Sequence, residues 1–264
     1  MSDPLGLMEI GPGPLVALAI HDGHELRPEL APYSALSPEE RLREEDPYTG
    51  EWTRLAPTRL VPIRSRFEAD LNRPRDRAVY LSPGDAWGLR VWKEELPESV
   101  IAASLAYYDA FYERLGAVLD RKIREEGFFV VYDLHSYNHR RAGPDAPPAE
   151  AQANPDLNLG TGSQDRTFWG PALDAFLKIA SGGEEQAGEL SVGENVKFFG
   201  GHLGRWIRDT YQGRGCALSI ELKKIFMDEW TGELFPEEHE RIYRILQASA
   251  EPVERAARSV IQGV

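Results

Sequence analysis

Cysteine is almost absent from this 264-residue chain, and its single thiol, Cys216, cannot form an internal disulfide. Nothing therefore marks the protein as secreted. No cluster of Lys and Arg residues forms the basic face of a nucleic-acid binder, and we attribute the formal net charge of -13 to solubility. No apolar run approaches the ~20 residues of a membrane span, and residues 1–14 lack the pattern of a signal peptide. These absences predict a cytoplasmic protein that binds neither nucleic acid nor membrane.

The hydrophobic content of 42% suits one large domain over residues 1–264, with a flexible N-terminal segment at residues 1–14. Apolar patterning predicts strands at 15–20, 60–63, 67–71, 128–132 and 216–220, and helices at 97–126, 166–180 and 237–261. The Ser37-Pro38 pair resembles a helix start. We expect a long loop at 138–165 and a surface turn at 181–188. Apolar strands that alternate with helices predict an α/β fold, a single mixed sheet flanked by helices on both faces.

Polar side chains lie at or just beyond the ends of three of the predicted strands. His21 follows the first strand, His135 lies three residues beyond the strand at 128–132, and Glu221 ends the strand at 216–220. In open α/β sheets the crevice beyond the carboxyl ends of the strands is the usual site for ligands. The convergence of these three residues is the strongest functional signal in the sequence.

Catalytic zinc typically takes three protein ligands from His, Asp or Glu and leaves one position for water. His21 and His135 are candidates, although either could simply make a hydrogen bond at a strand end. His24 could share a metal with His21 or line the substrate cleft. Glu45 and Asp46 offer carboxylates, or form a solvated acidic turn. The residues alone leave the middle ligand open.

Further charged residues suit the binding and hydrolysis of a carboxylate-bearing substrate. Asn72 and Arg73 place an amide beside a guanidinium, which can grip a carboxylate, and Arg66 could add a second positive group. A surface salt-bridge network is the alternative. Glu221, partly buried at a strand end, would suit a general base that takes a proton from water. It could instead be a structural residue paired with a neighbouring Lys.

Taken together, these motifs resemble the N-formylglutamate amidohydrolase family, which is similar to zinc carboxypeptidases and aspartoacylase-like deacylases. Each motif is weak alone, but the ordered set is fairly specific and spans roughly residues 15 to 245. The matching stretches are AIHDGHELRP at 19–28, EEDPYTG at 44–50, SRFEADLNRPRD at 65–76, DLHSYNHR at 133–140, NPDLNLGT at 154–161, FFGGHLG at 198–204 and SIELKKIFMDE at 219–229.

The resemblance implies a phosphorylase/hydrolase-like α/β fold with one catalytic Zn²⁺ per chain. His21 matches the first metal ligand and His135 the last. The carboxypeptidase relatives use a His-x-x-Glu pair, whereas this chain has His24 at that spacing. A downstream acidic residue, Asp46, fits the family better, so we expect Asp46 as the middle ligand and His24 at the substrate.

The resemblance also assigns the remaining roles. Glu221 matches the general base, Arg66 the arginine that polarises the carbonyl, and Asn72 with Arg73 the pair that binds the substrate carboxylate. We therefore expect zinc-dependent hydrolysis of a small N-acyl amino acid, with N-formyl-L-glutamate as the first candidate. Two alternatives remain: a carboxypeptidase-type metallopeptidase, and a non-catalytic carboxylate-binding protein on the same scaffold.

Overall fold

The computed structural model describes residues 4–182 and 190–263. Within them the chain forms seven strands and six α-helices, joined by short 3₁₀ turns. The strands are β1 Gly6–Glu9, β2 Leu15–Leu18, β3 Thr58–Pro62, β4 Phe129–Tyr137, β5 Leu157–Gly160, β6 Val192–Glu194 and β7 Gly215–Lys223. The helices are α1 Pro38–Glu44, α2 Thr49–Trp52, α3 Glu98–Glu126, α4 Arg166–Ala180, α5 His202–Tyr211 and α6 Pro236–Gln262.

The strands form one mixed sheet in the order β1-β3-β2-β4-β7-β5-β6. The central strands β3, β2, β4 and β7 run parallel, while β1 is antiparallel to β3 and β5 is antiparallel to β7. Strands β4 and β7 pair along their whole lengths, which places His135 directly opposite Glu221. The carboxyl ends of the parallel strands therefore meet at one edge of the sheet, as predicted.

Helices cover both faces of this sheet. Alternate side chains of β4 point to opposite sides: Val130 and Tyr132 pack in one core with α4 and α6, whereas Phe129 and Val131 pack in the other with α3 and α5. A strand that is buried on both faces appears in the sequence as a continuous apolar run. The predicted fold class, an α/β mixed sheet flanked by helices on both faces, is confirmed.

Local signals fix where the helices begin and end. The Ser37 hydroxyl accepts from the Glu40 amide, and the Glu40 side chain accepts from the Ser37 amide, so a capping box starts α1. Gly127 adopts a positive φ of 84° and ends α3 where the sequence predicts. Asp165 caps α4, whose limits are those predicted. Among the described residues, no helix combines the length and apolar character needed to cross a membrane.

Two predicted features of the middle of the chain differ in the structure. The predicted strand at 67–71 is absent: Phe67 and Leu71 are buried, which mimics a strand pattern, but the Glu68 amide bonds to the Ser65 carbonyl and closes a turn. The predicted loop at 138–165 contains β5, because its backbone pairs antiparallel with β7. The buried Asn158 side chain also ties this segment to residues 196–198.

The N-terminal segment also contains more structure than the sequence indicates. Residues 1–14 were expected to be flexible, yet β1 lies within them and pairs with β3 from Gly6↔Pro62 to Glu9↔Arg59. The Arg59 guanidinium donates two hydrogen bonds to the Glu9 carboxylate across this pair. The predicted surface turn at 181–188 falls largely on residues 183–189, which lie outside the described residues.

Candidate metal centre and active site

Three buried side chains converge at the carboxyl edge of the sheet. His21 follows β2, Asp46 follows α1, and His135 lies near the carboxyl end of β4; each is 2% exposed. The Asp46 carboxylate lies 3.0 Å from His135 Nδ1 and 3.4 Å from His21 Nδ1. One ligand atom from each residue falls within 4.8 Å of the other two. The structure thus brings together the three residues predicted as metal ligands.

A second carboxylate stands behind each imidazole. His21 Nε2 lies 2.7 Å from Asp70 Oδ1, and His135 Nε2 lies 2.9 Å from Asp133 Oδ1. A carboxylate beside Nε2 favours a proton on that nitrogen, so with a metal ion bound each Nδ1 would present its lone pair to the ion. Metal-ligating histidines are commonly oriented in this way by an outer carboxylate.

The donor set fits a divalent metal ion. Among the described residues, the buried His21 Nδ1 has no hydrogen-bond partner, although unpaired buried polar atoms are costly. Two imidazole nitrogens with one carboxylate are typical of catalytic zinc sites that keep a position open. His21, Asp46 and His135 are therefore the residues that would hold the ion.

The electrostatics of the site without metal follow from this packing. Burial opposes the ionisation of Asp46, but the hydrogen bond with His135 Nδ1 and the neighbouring His21 imidazole hold the pKa of its carboxyl well below the usual range. Burial also opposes the charged form of His135, yet Asp133 and Asp46 raise the pKa of its imidazole well above the usual value. A site that would otherwise bind a proton is electrostatically suited to bind a cation.

Asp46 is held in place by its own backbone. Its amide donates to the His21 carbonyl at 2.9 Å, and its carbonyl accepts from the Thr49 hydroxyl at 2.7 Å. The buried Lys224 ammonium donates to the carbonyls of Glu45 at 2.8 Å and Arg43 at 2.6 Å. The segment that carries Asp46 is therefore fixed to β2 on one side and to the end of β7 on the other.

The three residues open onto a cavity of about 250 Å³. Three of the other predicted functional residues, Arg66, Asn72 and Glu221, also line it. The full lining consists of His21, Arg43, Glu44, Asp46, Arg66, Asn72, Trp87, His135, Ser136, Tyr137, Asn138, Arg141, Phe198, Phe199, Gly200, Gly201, Glu221 and Lys224. A cavity of this size accommodates a small molecule.

Glu221 projects into this cavity from β7, beside His135. Its carboxylate is partly buried, and burial raises the pKa of Glu221 to about 7, with nearby His135 opposing this effect. A carboxyl group with a pKa near the working pH can both accept and return a proton. The position and ionisation of Glu221 suit the general base predicted from the sequence.

Arg66 also lines the cavity, and its guanidinium is held from several sides. Nη2 donates to Asp70 Oδ2 at 3.0 Å, Nε donates to the Tyr80 hydroxyl at 3.3 Å, and the Trp87 ring lies 4.8 Å from its central carbon. Asp70 thus contacts both Arg66 and the candidate ligand His21. This common partner fixes the distance between the guanidinium and the metal centre.

The orientation of the Asn72 amide follows from its neighbours. Its Oδ1 accepts from the Leu203 amide in the first turn of α5 at 3.0 Å, which directs Nδ2 to within 3.3 Å of His135 Nε2. A Cβ at Gly201 would lie 2.2 Å from this Oδ1, so only glycine permits the contact. Asn72 therefore offers N–H donors to the cavity.

Two predicted substrate-binding residues are not brought to the cavity wall. His24 Nδ1 pairs with the buried carboxylate of Glu45, and 40% of the His24 side chain is exposed away from the cavity. The structure groups Asp46, not His24, with His21 and His135. Arg73 points its guanidinium at Asp70, 3.4 Å away, and over the Tyr80 ring at 4.7 Å.

The sequence of this chain matches a known protein family over most of its length. Residues 13–227 match the sequence model of the family described as N-formylglutamate amidohydrolase. The chain belongs to the N-formylglutamate amidohydrolase family. All three candidate metal ligands and Glu221 lie inside the matched range.

Solved structures share the fold of this N-formylglutamate amidohydrolase family chain. The crystal structure of N-formylglutamate amidohydrolase from Ralstonia eutropha JMP134 is similar with a TM-score of 0.72 and 20% identity, covering 99% of this chain and 100% of that one. A gene product from Agrobacterium tumefaciens is similar with a TM-score of 0.61 and 16% identity, covering 95% and 91% of the respective chains. No match was found among the curated proteins.

Several residues of this amidohydrolase-family site were not predicted from the sequence. Asp133 precedes His135 by two positions on the same strand, and alternate residues of a strand point to the same face. This periodicity could have identified Asp133 from the sequence. Asp70 likewise precedes Asn72 by two, but only the fold shows that it contacts His21. Arg141 and Trp87 carry no local signal of function.

Proposed function

We propose that this amidohydrolase-family protein hydrolyses the amide bond of a small N-acyl amino acid with the help of one Zn²⁺ ion. N-formyl-L-glutamate, which would give formate and L-glutamate, is the first candidate substrate. The observation that carries the proposal is the buried group of His21, Asp46 and His135, backed by two carboxylates, beside the partly buried Glu221 in one cavity.

His21, Asp46 and His135 would hold the ion. When bound at a site with an open position, Zn²⁺ lowers the pKa of water and acts as a Lewis acid toward a carbonyl oxygen. Asp70 and Asp133 keep both imidazoles in the tautomer that presents Nδ1, and their burial excludes competing water from the Nε2 atoms.

Side chains of the protein carry out proton transfer, stabilise the developing charge and bind the substrate. Glu221 takes a proton from the attacking water on its carboxylate and delivers it to the nitrogen of the leaving amine. Arg66 donates hydrogen bonds toward the negative charge that develops on the carbonyl oxygen. Asn72 donates to the substrate α-carboxylate, and Arg73 adds a positive charge behind it. The products are a small carboxylic acid and a free amino acid.

The partner in this proposal is a small molecule. We also propose a cytoplasmic location, since Cys216 is a free buried thiol.

A carboxypeptidase-type reaction and a non-catalytic binding role predict different results in the same assay. Short peptides would be cleaved in the first case, and nothing would be turned over in the second.

The test combines metal analysis with a substrate panel. The purified protein is expected to contain about one zinc per chain, and to release formate from N-formyl-L-glutamate as followed by NMR. Chelation should abolish turnover and added Zn²⁺ should restore it. A zinc-loaded protein that cleaves dipeptides faster than N-acyl amino acids would contradict the proposal, as would a protein that binds no metal.

A further inference from the structure

The positive charges that line the cavity are not equivalent. Two of them are held by buried partners: the Arg66 guanidinium by Asp70 and Tyr80, and the Lys224 ammonium by two backbone carbonyls. The remaining two are Arg43 and Arg141. They lie on different segments, Arg43 on α1 and Arg141 six residues after His135 on the chain that leaves β4.

Arg43 and Arg141 share one carboxylate. Arg141 donates to both oxygens of Glu44, at 3.1 and 3.5 Å, and Arg43 Nε lies 3.4 Å from Glu44 Oε1. Within residues 4–182 and 190–263, Glu44 is the only acidic partner of either guanidinium within 4.0 Å. One negative charge thus faces two positive charges, which leaves one positive charge at the cavity wall without a carboxylate of its own.

Of the two guanidinium groups, Arg141 is the one that solvent and a ligand can reach. Its side chain is 59% exposed, whereas that of Arg43 is 22% exposed and stacks 4.3 Å from the centre of the Trp230 ring. Arg141 uses two of its five N–H groups on Glu44 and keeps the others available. Glu44 itself is buried and precedes Asp46 by two residues. The anchor of Arg141 and the candidate metal ligand therefore lie on one short, fixed segment.

We infer that Arg141, positioned by Glu44, binds a second carboxylate on the side chain of the substrate. The protein would then select N-acyl derivatives of acidic amino acids through Arg141, while Asn72 contacts the α-carboxylate on the other wall. This inference rests on the proposed function. It assigns a specificity-determining role to a residue on a loop, outside the strand-end positions that hold the metal and Glu221.

The test compares an acidic substrate with its neutral isostere. Steady-state kinetics are measured with N-formyl-L-glutamate and N-formyl-L-glutamine for the zinc-loaded parent, Arg141→Gln and the matched control Arg140→Gln. Arg140 is the adjacent cation and does not line the cavity. Hydrogen bonds to charged groups are strong enough that Arg141→Gln should raise KM for the glutamate derivative about 10- to 100-fold. Because Arg141 would contact the side-chain carboxylate and not the scissile amide, kcat should change little.

With the glutamine derivative, Arg141→Gln should differ from the parent by less than about threefold, and Arg140→Gln should match the parent on both substrates. Arg141→Lys keeps the charge but loses the paired donors, so it should give an intermediate KM. Zinc content and melting temperature of each variant show whether the fold and metal centre are intact.

The outcomes distinguish a failure of the Arg141 assignment from a failure of the proposed function. A parent that hydrolyses N-acyl amino acids, with an unchanged glutamate-to-glutamine preference in Arg141→Gln, overturns the assignment of Arg141 alone. Equal losses on both substrates in a folded, zinc-loaded Arg141→Gln also overturn it, since the effect would then not concern the side-chain carboxylate. A parent with no activity on any N-acyl amino acid overturns the proposed function and this inference with it.

Discussion

The two walls of the cavity differ in how deeply their side chains are buried and in how firmly these are held. On the ligand side, His21, Asp46 and His135 are each 2% exposed, and every one is held by at least two partners. On the entrance side, Trp87 and Phe199 are 52% and 63% exposed. Protein contacts alone thus hold the ligand side, while the entrance side keeps exposed apolar surface available. Binding the metal should cost little reorganisation, and selecting the substrate is left to residues that can adjust.

Backbone strain marks the entrance side as well. Trp87 adopts a left-handed conformation, with φ of 53°, at the end of the 3₁₀ turn Pro83–Ala86. A non-glycine residue there costs on the order of 1 kcal/mol or more, and such residues cluster at functional sites. In this conformation the indole lies over the Arg66 guanidinium. If the contrast between the walls is real, substitutions on the ligand side should abolish function, and those further out should tune it.

Removal of a ligand should have the largest effect. His135→Ala leaves two protein ligands, so zinc content should fall well below one per chain and turnover should drop to background. The matched control is His139→Ala, four residues further along and outside the cavity wall, which should keep its zinc. Elemental analysis and formate release measure both. Full metal occupancy in His135→Ala would remove this residue from the metal centre.

Glu221→Gln should have the next largest effect, and on catalysis alone. The amide is close in size to the carboxylate, so the metal should stay bound, but it cannot accept the proton of the attacking water. General acid–base assistance contributes about 10²- to 10⁴-fold, and the loss should appear in kcat more than in KM. A zinc-loaded Glu221→Gln protein with near-normal kcat would show that another group is the base.

The carboxylates behind the histidines should give smaller losses that differ from each other. Loss of an outer partner of this kind typically costs about 10- to 100-fold in metal affinity or activity. Asp133→Asn should therefore weaken zinc binding by about that factor and restore near-normal kcat at saturating zinc. Asp70→Asn should also lower kcat at saturating zinc, because Asp70 contacts Arg66 as well as His21.

Zinc titration followed by kinetics distinguishes the two variants. Identical behaviour of Asp70→Asn and Asp133→Asn, with kcat fully restored by zinc in both, would show that Asp70 does not position Arg66 for catalysis. Unchanged zinc affinity in both variants would contradict the carboxylate support of the two imidazoles.

The contrast between the walls also explains what the sequence could predict. Ligand-side residues follow or end strongly apolar strands, so local patterning places His21, His135 and Glu221 at one edge, and the resemblance supplies Asp46. Entrance-side residues lie on turns and loops, where the pattern predicts irregular structure but no direction for a side chain. Arg141 is an example: only its long-range contact with Glu44 shows that it reaches the cavity.

The same limit accounts for the predicted residues that the structure places elsewhere. The sequence pairs Arg73 with Asn72 by adjacency, yet neighbouring side chains outside a helix need not point the same way. The fold gives Arg73 a buried carboxylate at Asp70 and an aromatic face at Tyr80, and both hold it back from the cavity wall. His24 is drawn to Glu45 for the same reason, since a buried carboxylate requires a partner.

The smallest expected effect is on the stability of the metal-free protein. Replacing Glu221 should stabilise the fold at high pH, whereas replacing a structural residue would destabilise it. In the metal-free protein, burial raises the pKa of Glu221 from 4.5 to about 7. Between these values the folded state keeps a proton that the unfolded state has lost. The favourable contribution is fully present below pH 4.5 and is lost as pH rises through about 7, so an ionised Glu221 destabilises the fold at higher pH.

A glutamine side chain cannot ionise, so the chelator-treated Glu221→Gln variant should be more stable than the metal-free parent above about pH 7. One pKa unit corresponds to about 1.4 kcal/mol, and since solvent reaches part of the carboxylate we expect a gain of only about 2 kcal/mol. For a chain of this size that corresponds to a rise in Tm of roughly 4 °C. The gain should shrink toward zero below pH 4.5. Thermal melts of both proteins from about pH 4 to 8, with zinc removed, measure it across both ionisations. If the variant is instead less stable by a constant amount at every pH, Glu221 is a structural residue. The ligand side would then not include Glu221 among the residues that lower stability for the sake of function.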